Sequence, residues 1–260
     1  MKNLLLASFT GFVVASGSAF AADLPLKAPP PPPPSVSWTG CYIDGGVGYG
    51  MWNQDHYLET NPGLVPITSS TTNGGRGWMG RVGAGCDVQA SRFVFGAFAD
   101  YDFMNLNGTN EPPDLLFGGI SMSGTEKQSG AWGVGARVGY LITPGLLTYF
   151  NAGYTEARFD QVNFYTTLLP TAPTGLSMPA TTYHGWFIGG GEEYALGFLP
   201  SVFWRTEYRY AQYQAVDVPI VVTATGAPTG FGENNTKYTQ TITTGLVWRF
   251  NWGGPVVSRY

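Results

Sequence analysis

The stretch AWGVGARVGYLITPGLLTYFNAGYTEARF, residues 131–159, decides how this chain folds. In its first part Trp132, Val134, Ala136, Val138 and Tyr140 alternate with Gly133, Gly135, Arg137 and Gly139. Successive side chains on a strand point to opposite faces, so one face here is large and apolar and the other small or ionic. Thr143, Pro144 and Gly145 then supply turn chemistry, and another run begins at Leu146. Each run has about the ten residues that a tilted strand needs to cross a hydrocarbon layer.

The same rhythm recurs outward in both directions. Eight runs can be drawn, at residues 38–52, 77–88, 93–103, 131–141, 146–159, 186–196, 202–213 and 239–250. Four polar stretches of roughly 25 residues join them alternately with three short links, at 89–92, 142–145 and 197–201, the last containing Pro200. Long joins at one rim and short ones at the other predict an all-β fold. The expected form is an eight-stranded antiparallel up-and-down transmembrane β-barrel with four long extracellular loops and three short periplasmic turns.

The beginning of the chain fits export. Lys2, the apolar stretch 4–14 and Ala19-Phe20-Ala21 predict a cleaved signal peptide over residues 1–21. Residues 22–37 read as a Pro-rich periplasmic linker, and residues 38–260 as the barrel. The six prolines at 29–34 favour a polyproline II spacer of roughly 19 Å. It serves either as a stiff linker or as a contact with peptidoglycan or another envelope protein. No later segment offers about 18 continuous apolar residues, so residence in a membrane must come from strands.

Charged residues make up only 12% of the chain and aromatics 15%, a balance suited to a surface partly solvated by lipid. A net charge of −4 argues against nucleic-acid binding. The mean hydropathy is near zero because polar and apolar faces average out along every strand.

Resolving the faces gives two groups. Ile43, Val47, Tyr49 and Met51 share the apolar side with Trp78, Phe95, Tyr101, Trp204, Tyr208, Leu246 and Trp248. The other side carries glycine and sparse mixed charges. A soluble ligand-carrying barrel places its apolar face inward and needs a charged exterior, which this polar face is too glycine-rich to supply. Lipid outside and charge inside follows. The expected lumenal network is Asp44, Arg81, Asp87, Asp100, Asp102, Arg137, Glu193, Arg205, Glu207, Arg209 and Arg249. Buried charges need partners, so these groups should interlock as a plug; an ion pathway is the competing reading.

Ser37-Trp38-Thr39-Gly40-Cys41-Tyr42, Gly45-Gly46-Val47-Gly48-Tyr49-Gly50 and Glu207-Tyr208-Arg209-Tyr210 carry a likeness, together with the leader ending Phe20-Ala21-Ala22-Asp23-Leu24-Pro25. In these the chain resembles the porin-like small outer-membrane β-barrel proteins of alphaproteobacteria. The resemblance spans nearly the whole mature chain and implies an eight-stranded barrel and an abundant surface protein rather than an enzyme. Two departures stand out. Cys41 stands where the family usually has an aromatic, and the chain continues past Phe250 to Tyr260, leaving either aromatic as the recognition end for outer-membrane insertion machinery.

Cys41 begins the first run and Cys86 nearly ends the second, which puts both near the periplasmic rim on the outward face. A cross-hairpin disulfide and two free lipid-facing thiols stand as equal readings. No metal site is expected, since no histidine neighbours either cysteine in sequence. His56 falls in the first long loop and His184 at the loop-proximal end of the sixth run, facing outward. Spacing fixes no serine or acid beside His184, so catalysis is not expected, and no cofactor is. Glu192 should face away from the lumen near the periplasmic rim. The glycines at 45–50 and 189–191 lie within strands and open no helix, so they are not nucleotide loops.

The expected role is a non-enzymatic integral protein of the cell outer membrane that supports its integrity, contacts outer-membrane lipid and lipopolysaccharide, and presents surface loops. A narrow porin for small solutes and an adhesin-like or ligand-recognition protein are the alternatives. Loop aromatics Tyr57, Phe117, Tyr165 and Phe231 permit binding without naming a target.

Overall fold

A computed structural model describes residues 36–112, 121–167, 170–199 and 201–250. The expected signal peptide, nearly all of the Pro-rich linker, Phe117, Pro200 and the chain end from Asn251 to Tyr260 lie outside the described residues.

The described chain is β throughout, in the order β1 (Gly40–Thr60), β2 (Thr71–Ala90), β3 (Phe93–Asn110), β4 (Met122–Thr143), β5 (Leu146–Phe159) and β6 (Val162–Thr166). There follow β7 (Pro173–Met178), β8 (Thr181–Ala195), β9 (Val202–Tyr213), β10 (Val216–Val222) and β11 (Pro228–Phe250). All pairings are antiparallel. The order β1-β2-β3-β4-β5-β8-β9-β11 returns to β1, with Cys41 opposite Phe250 and Thr60 opposite Phe231, so eight strands close a ring and leave no free edge there.

The strands run well beyond the eight apolar runs. β1 has 21 residues, β2 20, β4 22 and β11 23, about twice what a hydrocarbon layer requires. β6, β7 and β10 lie within two of the stretches read from sequence as loops. β6 pairs with β4 beyond the end of β5, β7 pairs with β6, and β10 pairs with β7 and β11. Each therefore prolongs a neighbour, β6 after β5, β7 before β8 and β10 after β9, and the upper half repeats the ring of eight. Those stretches looked like loops because their outward residues are polar. Their inward alternation continues all the same: Trp52, Gln54, His56 and Leu58 on β1 are buried, as are Glu233, Lys237 and Thr239 on β11.

At the short-turn end, Ser91 and Ser201 take positive φ of 58° and 66°, the left-handed geometry that tight turns demand. Outside, Val47, Trp78, Phe95, Phe103, Phe150, Trp186, Trp204, Ile242 and Trp248 form an exposed apolar belt. The glycines across from ionic groups make room for them. A Cβ on Gly83 would stand 2.8 Å from the Asp44 carboxylate, and one on Gly96 would collide with the Asp87 carboxylate.

The filled lumen as candidate functional site

The lumen is stacked in tiers, because every second residue of every strand points into it. At the short-turn end an apolar floor gathers Trp38, Val94, Leu141, Leu147, Phe203 and Val247. Trp38 precedes β1 and folds under the ring. Its indole donates to the Pro144 carbonyl at 3.1 Å, and its ring centroid lies 4.7 Å from that of Phe203.

Directly above lies the first ionic tier. Glu193 on β8 accepts from Arg137 at 2.5 Å, from Arg249 at 2.5 Å and from Arg205 at 2.9 Å. Asp87 accepts from Arg249 at 2.6 Å and also pairs with Arg137, and Asp44 pairs with Arg205 at 2.9 Å. The Tyr42 ring sits among the same three guanidinium groups, 4.7 Å from that of Arg137, 4.9 Å from that of Arg205 and 5.0 Å from that of Arg249.

A second ionic tier follows one turn of the pleat higher. Arg81 makes a forked pair with Asp102 at 2.6 and 2.9 Å and reaches Glu207 at 2.7 Å. Arg209 forks onto Asp100 at 2.9 and 2.7 Å and also donates to Glu207 at 2.9 Å. Tyr149 and Asn151 complete the Glu207 carboxylate, each at 2.8 Å. The two tiers thus bring together all eleven residues selected for the lumen, five arginines and six carboxylates. A cavity between the two tiers, bordered by Arg81, Asp100, Arg137, Arg205, Glu207 and Arg209, holds about 10 Å³, space for one water at most.

A third tier lies in the upper half. Lys237 is fully buried and donates to Glu126 at 2.6 Å and to Gln54. Its ammonium is boxed by Phe159 at 4.3 Å and by Trp52 and Tyr183 at 5.1 Å each. His56 pairs with Glu233 at 3.2 Å, and Asn110 donates to Glu233 at 3.1 Å. Leu58, Phe164, Met178, Val218 and Ile220 join the apolar cluster above it. None of these residues was selected from sequence, and His56 lies on β1 inside the barrel, not in a loop. The available signal was parity: Gln54 and His56 continue the inward side of Asp44.

On the outer surface Cys41 and Cys86 face each other in register and form a disulfide, near the short-turn rim. Glu192 is exposed and Glu193 buried. His184 also faces outward and, contrary to the expectation from spacing, has an acid beside it. Glu156 lies 3.0 Å away, and Tyr154 hydroxyl contacts both, at 2.9 and 2.8 Å. Neighbours across a sheet are set by register, which spacing along one strand does not reveal. Among the described residues no cluster of three or more His, Cys, Asp or Glu is arranged to hold a metal.

A closed antiparallel barrel with an apolar exterior and an ionic interior is the form of an integral outer-membrane protein. The family model for the outer membrane protein beta-barrel domain matches residues 7–250, and the chain belongs to that family. It is similar to the 31 kDa outer-membrane immunogenic protein of Brucella melitensis, at 28% identity over 225 residues covering 81% of this chain and 86% of that one. The protein of the same description from Brucella suis matches to the same extent. Among solved structures, the outer membrane protein OprG from Pseudomonas aeruginosa shares the fold, with a TM-score of 0.50 and 13% identity over 84% of this chain and 99% of that one. The protein resides in the outer membrane. Its long-loop end is accordingly extracellular and its short-turn end periplasmic.

Proposed function

We propose that this protein is a non-conducting, non-enzymatic barrel that contributes to outer-membrane integrity and presents its extracellular half to the surroundings. One observation carries this reading: the lumen is filled along its length, by an apolar floor, two interlocked ionic tiers, the Lys237 tier and an apolar upper cluster. Eight strands enclose only enough space for side chains, and here the side chains occupy it. A narrow pore would require guanidinium–carboxylate pairs to part in both ionic tiers, the Lys237–Glu126 pair to part above them, and the apolar floor and upper cluster to open. The His184 pair gives no support to acyl hydrolysis through an activated hydroxyl or thiol, because its polar partners are Tyr154 and Glu156, with no serine, threonine or cysteine among them.

Single-channel recording on the refolded chain in a planar bilayer tests the first half of the reading. A flat trace is expected, and steady stepwise conductance would overturn it. Deleting the gene should raise detergent sensitivity and vesiculation, and unchanged envelopes would remove the integrity role. Phospholipid hydrolysis by the refolded chain that disappears in His184→Ala would remove the non-enzymatic one.

A further inference from the structure

Of the basic residues within the described segments, Arg81, Arg137, Arg205, Arg209, Lys237 and Arg249 point into the lumen, and Arg92 contacts the Tyr140 hydroxyl in a periplasmic turn. The remaining three are Arg76, Lys127 and Arg158. None of these has a carboxylate within ion-pair distance among the described residues. All three face outward, and the register places them together. Arg76 on β2 is opposite Asn107 on β3, and Asn107 is opposite Lys127 on β4. The Lys127 carbonyl accepts from the Asp160 backbone, which puts Arg158 on β5 one step below. Neighbouring strands lie about 4.8 Å apart, so the three cations fall within roughly 15 Å of one another.

The level of this row is telling. Immediately below it on the same strands are the exposed rings of Trp78, Tyr101, Phe103, Trp132 and Tyr154, which mark the upper edge of the apolar belt. Asn105, Asn107 and Ser129 stand among the cations. Two carboxylates share this face, Glu156 two residues below Arg158, accepting from Trp132 at 3.1 Å and from Tyr154, and Asp160 two residues above it, accepting from Ser129 at 2.7 Å; both keep their charge, and neither forms an ion pair with the three cations. Asp55, higher on β1, accepts from Thr72 at 2.6 Å.

We propose that the outward face of β2 to β5 binds a phosphorylated glycolipid of the outer leaflet. Arg76, Lys127 and Arg158 take its phosphates, the amides and hydroxyl between them meet sugar hydroxyls, and the aromatic belt beneath receives its acyl chains. The proposal rests on the barrel standing in the outer membrane with its long-loop end outside, and not on whether it conducts. Cations placed at headgroup level attract anionic lipid and do so more weakly as salt rises.

The full chain is refolded into phosphatidylcholine vesicles containing a small fraction of lipopolysaccharide, and co-retention of the glycolipid after detergent exchange is measured. Against the parent, the Arg76→Gln/Lys127→Gln/Arg158→Gln variant should retain at least tenfold less, and Arg92→Gln should retain as much. Retention should fall as salt is raised from 50 to about 300 mM. Equal retention by the triple variant and the parent would overturn the site. Equal loss in Arg92→Gln would reduce it to general surface charge. Equal retention of phosphatidylglycerol by the parent would overturn the glycolipid assignment. Conductance of the same preparation is recorded separately, so failure of the non-conducting reading is seen apart from failure of this one.

Discussion

The two halves of the lumen solve the burial of charge in different ways. In the periplasmic half, five guanidinium groups and six carboxylates are cross-linked so that most ions touch two or three of opposite sign. In the extracellular half a single ammonium, Lys237, rests on Glu126, on Gln54 and on three aromatic faces, with amides and His56 around it and an apolar cluster above. Among the described residues, buried polar atoms without a hydrogen-bond partner occur in both halves, Gln54 Nε2, Asn110 Oδ1, Gln128 Nε2 and Glu233 Oε1 above and Asn151 Oδ1, Arg209 Nε and Arg249 Nε below, so the halves differ in how their ions are paired rather than in orphaned atoms. Forked guanidinium pairing fixes direction as well as charge, whereas an ammonium is a point charge that tolerates amide neighbours. The lower half, inside the apolar belt, is therefore held by a specified ionic lattice. The upper half is held by the sheet, by apolar and aromatic packing and by the Lys237–Glu126 and His56–Glu233 contacts.

The sharpest way to break this contrast is to remove the hub of the lower lattice. Glu193→Ala leaves Arg137, Arg205 and Arg249 short of a shared partner and should cost about 3–5 kcal/mol, read from urea unfolding of the refolded barrel followed by tryptophan fluorescence. A change of midpoint no larger than that of a surface substitution would mean the lattice relaxes freely. In the upper half, Lys237→Met should cost about 2–3 kcal/mol by stranding Glu126, and adding Glu126→Gln should recover most of it. If the double variant stays as weak as the single, the aromatic box rather than the pair is what Lys237 supplies.

The periplasmic hem offers a third comparison. Replacing Cys41 and Cys86 with serine should cost about 2 kcal/mol, because the unfolded chain is freed from a loop closed across a sequence separation of 45. Intact-mass measurement with and without reductant and alkylation reports the bond itself. The smallest effect is expected at the extracellular rim. Burial, with the Asp217 carboxylate beside it, pushes Glu59 up to about 7. A raised acid group stabilises the fold fully below its unfolded value near 4.5, and that contribution is lost as pH rises through 7. A modest fall in the thermal midpoint between pH 5 and pH 8, absent in Glu59→Gln, would show it.

How far the sequence could be read depends on where lipid lies. Within the belt, Trp132, Val134 and Val138 outside contrast with Gly133, Gly135 and Arg137 inside, so parity alone separates lumen from exterior. Above the belt, water replaces lipid. Asn53 and Asp55 outside then look no different in polarity from Gln54 and His56 inside, and the strand passes for a loop. The missed third tier follows from this: Glu126, Glu233 and Lys237 were polar residues in polar surroundings. The partner of His184 was hidden for another reason, because Glu156 and His184 lie 28 positions apart and meet only through the pairing of β5 with β8.

By itself the sequence determined the strand period, the inward and outward faces within the belt, the closure into a lipid-facing barrel and the identity of the charges enclosed at the level of the belt. Those follow from local alternation and from the cost of exposing backbone or charge to hydrocarbon. The tertiary structure alone decided which arginine meets which carboxylate, that the staves rise well beyond the membrane, and that three unpaired cations align in one row. Each of these depends on the register between strands far apart in the chain, and register is set by the closed ring as a whole rather than by any one of its strands.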